Sequence, residues 1–140
     1  MKRREFIKDS TYAACLLLCG MPFATGCMNY KVLNYEKENG KIRVKKSDFM
    51  ENKAVVIKPT RSYAPIFLSK NDKEIYSAVL MVCTHMQCEV KPTGNLLTCP
   101  CHGAEFMLDG KLNKGPAARN LETFTTTTDE NYIYIHFPNE

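Results

Sequence analysis

Ile66-Phe67-Leu68-Ser69-Lys70-Asn71-Asp72-Lys73-Glu74-Ile75-Tyr76-Ser77-Ala78-Val79-Leu80-Met81-Val82 sets two apolar runs, Ile66 to Leu68 and Ile75 to Val82, around the polar triplet Asn71-Asp72-Lys73. Short runs rich in β-branched and aromatic residues, hinged on turn-forming side chains, predict a β-hairpin rather than a helix. The same grammar continues on both sides. Ala54 to Ile57 is a candidate strand upstream. Downstream, Glu89 to Lys91 and Leu96 to Thr98 flank the turn Pro92-Thr93-Gly94-Asn95, and Leu121 to Thr125 is expected to pair with the closing run Tyr132 to Phe137. After residue 27 no stretch keeps helical periodicity over three turns, and no internal repeat is visible. The expected fold class is all-β, a small antiparallel sandwich.

At 140 residues with 44% hydrophobic content, the chain can supply one modest core and has no room for a second catalytic domain. Its net charge of +4 is half local: Lys2, Arg3, Arg4 and Lys8 against Glu5 and Asp9 place +2 in the first nine residues. The remaining 15 basic and 13 acidic residues show no basic stripe, which argues against nucleic acid as a partner.

The first 27 residues read as an export signal. Lys2-Arg3-Arg4-Glu5-Phe6-Ile7-Lys8 is a positive head, and a mildly apolar stretch from Ser10 to Ala24 comes after it, interrupted by Gly20 and Pro22. Arg3-Arg4 with Phe6 resembles the twin-arginine signal, whose route carries proteins already folded around a cofactor. Ala24-Thr25-Gly26-Cys27 resembles a bacterial lipobox, in which Cys27 is acylated, although Ala24 stands where Leu is preferred. The apolar run falls short of the ~20 residues of a spanning helix, which leaves an uncut anchor as the second reading. Residues 28–52 are expected to be a tether, with Tyr30 to Gly40 as solvated linker and Ile42 and Val44 marking a half-exposed first strand. Residues 53–140 form the expected domain.

Seven cysteines divide into Cys15 and Cys19 in the apolar run, Cys27 at its end, and Cys83, Cys88, Cys99 and Cys101 beside two of the three histidines. Two candidate loops carry the last group: Cys83-Thr84-His85-Met86-Gln87-Cys88 and Cys99-Pro100-Cys101-His102-Gly103. Each offers a soft thiolate and a borderline imidazole at close spacing, and two of each suit a [2Fe-2S] cluster with both cysteines on one iron and both histidines on the other. Cys₂His₂ is also a zinc set, so a structural zinc module is an alternative. Zinc ligand pairs usually sit two to four residues apart, whereas a single residue separates Cys83 from His85, and zinc leaves a cysteine in each loop unexplained. His136, on the expected last strand, reads as an ordinary strand residue.

Cys-x-His followed at a distance by Cys-x-x-His resembles the signature of the Rieske family. The resemblance implies that Cys83 and Cys99 ligate the inner iron and His85 and His102 the outer iron, on a cluster-binding subdomain of two loops. Cys88 and Cys101 sit where the Rieske subunits of cytochrome bc-type complexes bridge the loops by a disulfide, a bond suited to an oxidising compartment. Gly115-Pro116-Ala117 resembles the loop that covers the remaining side of the cluster. The gap between His85 and Cys99 is short for the family, as a trimmed hairpin would make it.

Together, the resemblance and the export signal imply an exported one-electron carrier or electron-transfer subunit, not catalytic alone. It is expected on the periplasmic side of the bacterial inner membrane, lipid-anchored, with a redox protein partner such as a cytochrome or a larger oxidoreductase subunit, and with quinol as a candidate donor. The second reading is the small subunit of a larger enzyme resembling arsenite oxidase. Family potentials span roughly −150 to +300 mV. High-potential members have Ser and Tyr where this chain has Ala104 and Phe106, and quinol-oxidising members commonly have Leu and Gly where it has Met86 and Gln87. Loss of both hydroxyl donors implies a lower potential, and the altered tip favours a general electron carrier over a standard quinol-oxidising subunit.

Overall fold

A computed structural model describes residues 30–35, 39–49, 52–60 and 64–138. The signal-like segment, with Arg3, Arg4 and Cys27, lies outside the described residues. Strands are β1 (Lys31–Tyr35), β2 (Lys41–Lys45), β3 (Ala54–Pro59), β4 (Ile66–Lys70), β5 (Tyr76–Leu80), β6 (Lys91–Thr93), β7 (Leu96–Thr98), β8 (Glu105–Met107), β9 (Leu112–Lys114), β10 (Thr123–Thr128) and β11 (Tyr132–His136). One turn of 3₁₀ helix, Lys46–Phe49, is the helical element among the described residues.

A seven-stranded sheet runs β1-β3-β4-β5-β10-β11-β2 and curls over one core, while a four-stranded sheet, β6-β7-β8-β9, forms a smaller subdomain between β5 and β10. Burial explains the two kinds of apolar pattern. On β2 and β11, Ile42, Val44, Ile133 and Ile135 are fully buried and alternate with outward polar or aromatic residues, because only one face meets the core. On β3 and β4 the apolar residues are continuous because both faces are covered. Val55, Ile57, Ile66 and Leu68 face the main core, whereas Ala54, Val56 and Phe67 pack beneath the small sheet with Val79, Met81, Leu97 and Phe106. Each large side chain so enclosed contributes ~1.5–3 kcal/mol by leaving water. The small sheet and its loops are thus seated on a rigid wall.

The expected hairpins at β4–β5 and β10–β11 are present, in antiparallel register. In the first, Asn71 Oδ1 accepts from the Lys73 and Ile75 amides, at 3.0 and 2.9 Å, and so closes the turn. Between β6 and β7 the turn is narrower than expected, since Pro92 and Thr93 join the strand and Gly94, at φ 61°, reverses the chain.

Tyr30 to Gly40, expected as solvated linker, instead contains β1. It pairs with β3 in parallel, an exception to the antiparallel plan. Charged neighbours hid it: β1 lies at the edge of the sheet, so Val32 stays exposed while Leu33 and Tyr35 pack on the core. Strand β2 is the other edge and half-exposed, as expected. Two further strands, β8 and β9, are three residues each and carry too few apolar positions for alternation to register.

Candidate metal centre

Both cysteine loops are closed by the same pair of backbone hydrogen bonds. In the first, the Cys83 amide donates to Cys88 O (2.8 Å) and the Gln87 amide to Cys83 O (2.9 Å); in the second, the Cys99 amide donates to Ala104 O (2.8 Å) and the Gly103 amide to Cys99 O (3.0 Å). The fifth residue of each loop takes the left-handed conformation, Gln87 at φ 57° and Gly103 at φ 73°. Cys83 and Cys99 therefore occupy one position of one repeated turn. Each follows a paired position, since Cys99 succeeds β7 and Val82 bridges Glu89. The repeat is invisible in sequence because the histidine is third in one loop and fourth in the other.

The four candidate donors divide by depth. Cys83 and Cys99 are free thiols buried at 0% and 2% exposure in one apolar cluster. His85 and His102 are exposed, with ring centroids 4.9 Å apart at 81°. Burial pushes the Cys83 thiol up, and the neighbouring Cys99 adds to this, against the backbone hydrogen bonds from His85 and Met86 that favour its thiolate. Two thiolates held side by side in an apolar wall need a cation between them. With two imidazoles at the surface, the donor set fits an iron–sulfur centre that is buried on its thiolate side and exposed on its imidazole side.

Cys88 and Cys101 are bonded to each other, with S–S 2.02 Å and Cα atoms 6.5 Å apart. Their sulfurs lie within 4.8 Å of that of Cys99. Proximity groups the three, but the bonded pair has no thiolate to offer, so the disulfide joins the loops and leaves Cys99 as the donor. A third segment supports the site. Thr84 Oγ1 donates to Arg119 O (2.7 Å), and Ala117, next to the cis Gly115–Pro116 peptide, is buried in the same apolar cluster as Cys83 and Cys99. The Thr84 tie was not foreseen, since nothing in the sequence links residues 84 and 119.

Ala104 and Phe106 are fully buried in that cluster, and Phe106 pairs with Leu97 across β7 and β8. His136 lies on β11, where its Nε2 meets Thr127 Oγ1 at 2.7 Å, an ordinary strand contact.

Residues 29–125 match the family model of the Rieske [2Fe-2S] domain. Among curated proteins, the chain is 46% identical over 50 residues to the cytochrome b6-f complex iron-sulfur subunit of Synechococcus sp. strain JA-3-3Ab, covering 34% of this chain and 29% of that protein. It is 33% identical over 61 residues to the corresponding subunit of Chlorobaculum tepidum, covering 42% and 34%. The chain thus spans about a third of the length of these relatives. Among solved structures it is similar to the plasma membrane Rieske protein PetC3 of the cyanobacterium Synechocystis PCC 6803, with TM-score 0.56 and 35% identity over 65% of this chain and 93% of that one. A chain from the oxygenase–ferredoxin complex of carbazole 1,9a-dioxygenase has TM-score 0.57 at 19% identity, covering 74% and 98%, a likeness of fold alone.

Proposed function

This chain belongs to the Rieske [2Fe-2S] domain family, and we propose that it is an exported, membrane-tethered electron carrier whose cluster is held by Cys83, His85, Cys99 and His102. Like its family it binds a [2Fe-2S] cluster and transfers electrons. The observation that carries the ligand assignment is the meeting of two buried thiols and two exposed imidazoles on one repeated turn. Bound there, the cluster supplies a one-electron couple at a potential raised by replacing two thiolates with neutral imidazoles.

The residues divide the work. Cys83 and Cys99 keep water from the inner side, and their backbone neighbours His85 and Met86 donate hydrogen bonds toward Cys83 sulfur. His85 and His102 reach solvent, the route by which electrons leave for a partner. Met86, 63% exposed beside His85, offers that partner an adaptable apolar contact.

Export is supported by the signal-like residues 1–27 and by the Cys88–Cys101 disulfide, which persists in oxidising compartments. Tethering rests on Cys27 as an acylated cysteine, on the periplasmic side of the inner membrane. The partner is a redox protein, a cytochrome or a larger oxidoreductase subunit, with quinol a second candidate donor. Met86 and Gln87 in place of Leu and Gly weigh toward a general carrier.

Absorption and EPR spectra of anaerobically purified protein test the centre. A coloured protein with two irons per chain and a one-electron-reducible signal is expected, and a colourless protein with one zinc would end this reading. The mass of the mature N-terminal peptide tests the tether, an acylated Cys27 being the expected form.

A further inference from the structure

Lys41, Arg43 and Lys45 alternate on β2 with the fully buried Ile42 and Val44, so the pleat sets all three cations on the outer face of an edge strand, about 7 Å apart. The even distribution of charge along the sequence conceals this concentration. On β11, Tyr134 stands opposite Arg43 and Tyr132 opposite Lys45, on the same outer face because Ile133 and Ile135 are buried. Lys41 Nζ lies 5.1 Å from the Tyr134 ring centroid and Arg43 Cζ lies 4.8 Å from that of Tyr132. With Tyr35 these side chains line an open cleft of about 340 Å³ that has no carboxylate among its described lining residues. Carboxylates lie nearby but are engaged: Asp48 takes Lys31 and the Tyr35 hydroxyl, and Asp129 takes the Tyr134 hydroxyl. Glu130 borders a separate hollow with Lys45 and Lys46.

We propose that the face formed by Lys41, Arg43, Lys45, Tyr132 and Tyr134 docks on anionic phospholipid headgroups. Three cations meet phosphate, and two tyrosines set an apolar body with a polar tip at the interface, the placement such rings favour in membranes. Edge lysines also deter strand addition, a role that does not require stacking on tyrosine. Docking of this face on a membrane rests on the membrane-tethered reading.

The test is sedimentation of the full chain carrying Cys27→Ser, which removes acylation, with phosphatidylcholine vesicles and with vesicles containing phosphatidylglycerol. Any contribution of residues 1–27 is common to every variant. Lys41→Gln with Arg43→Gln is expected to weaken partitioning to the phosphatidylglycerol vesicles at least about tenfold, from ~1 kcal/mol per cation. Lys53→Gln with Lys73→Gln, an equal charge loss at exposed sites on other segments, is expected to change it less than about twofold. Equal losses in the two variants, or no loss in the first, would overturn the proposal. So would equal partitioning of the wild-type face to the phosphatidylcholine and the phosphatidylglycerol vesicles. An unacylated Cys27 in the N-terminal peptide of the wild-type protein, together with the selective loss here, would remove the tether and leave the lipid face standing.

Discussion

Cys88 and Cys101 are bonded across the two loops, Cα to Cα 6.5 Å, and each loop brings one buried thiol and one exposed imidazole to the same place. The clamp adds a covalent tie to the ring contact of His85 with His102. For a closed loop of this size, with a sequence separation of 13, chain entropy assigns the bond about 3 kcal/mol. Cys88→Ala with Cys101→Ala is therefore expected to lower the melting temperature by on the order of 10 °C and to speed bleaching of the visible absorbance on warming. Unchanged melting and bleaching would mean that the small sheet alone holds the loops together.

Ala104 and Phe106 leave the site without the two hydroxyl donors that the family resemblance implies for a high-potential centre. Both are fully buried beside Cys99, so a hydroxyl installed there has no water to compete with. Ala104→Ser with Phe106→Tyr is expected to raise the reduction potential by tens of millivolts, on the order of 1 kcal/mol of preference for the reduced, more negative state. Film voltammetry of both proteins decides the matter, and a potential that stays or falls defeats the idea.

Gln87 holds φ 57° where its counterpart in the second loop is Gly103 at 73°. A side chain in the left-handed region costs ~1–2 kcal/mol, which glycine avoids. Gln87→Gly is expected to stabilise the protein by about 1 kcal/mol in urea unfolding, with an unchanged visible spectrum. A loss of stability would show that the exposed Gln87 side chain makes contacts worth more than the strain.

The sandwich was legible, and the four proposed donors stand out in the sequence, because both have short-range signatures. Alternation on β2 and β11 and the Asn71 turn come from neighbouring residues, and so do Cys83-Thr84-His85 and Cys99-Pro100-Cys101-His102. The features that were not legible depend on partners distant in sequence. Strand β1 is fixed by β3 rather than by its own polar composition, and Thr84 is anchored by a carbonyl of the 115–121 segment. The equivalence of Cys83 and Cys99 needs backbone hydrogen bonds to be seen, since the two loops differ at almost every side chain. The same limit hid the cationic face, because its three cations are separated in sequence by the core residues Ile42 and Val44.

Tyr35 on β1 and Asp48 in the 3₁₀ turn tie the edge strand to the sandwich through a 2.8 Å hydrogen bond, and Lys31 joins Asp48 at 2.9 Å. Burial, then the hydrogen bond to the Asp48 carboxylate and its charge, push the Tyr35 hydroxyl from its ordinary 10.0 up to about 12. For Asp48, burial acts upward but is outweighed by hydrogen bonds from Lys31 and Tyr35 and by the charges of Lys31 and Lys45, so its carboxyl lies below the usual range. The raised tyrosine contributes stability that is complete below about pH 10 and is lost as pH climbs toward about 12. The depressed aspartate contributes stability that is complete above its ordinary value of 3.8 and is lost as pH falls through its lower folded value. Tyr35→Phe is expected to remove about 1 kcal/mol at neutral pH, discounted for partial exposure. It should also flatten the decline in stability between about pH 10 and 12 and move the acid limb upward, because Asp48 loses a donor. Urea unfolding of both proteins across the two windows reads this out, and parallel profiles would mean that the pair carries no linkage between ionisation and the docking of β1.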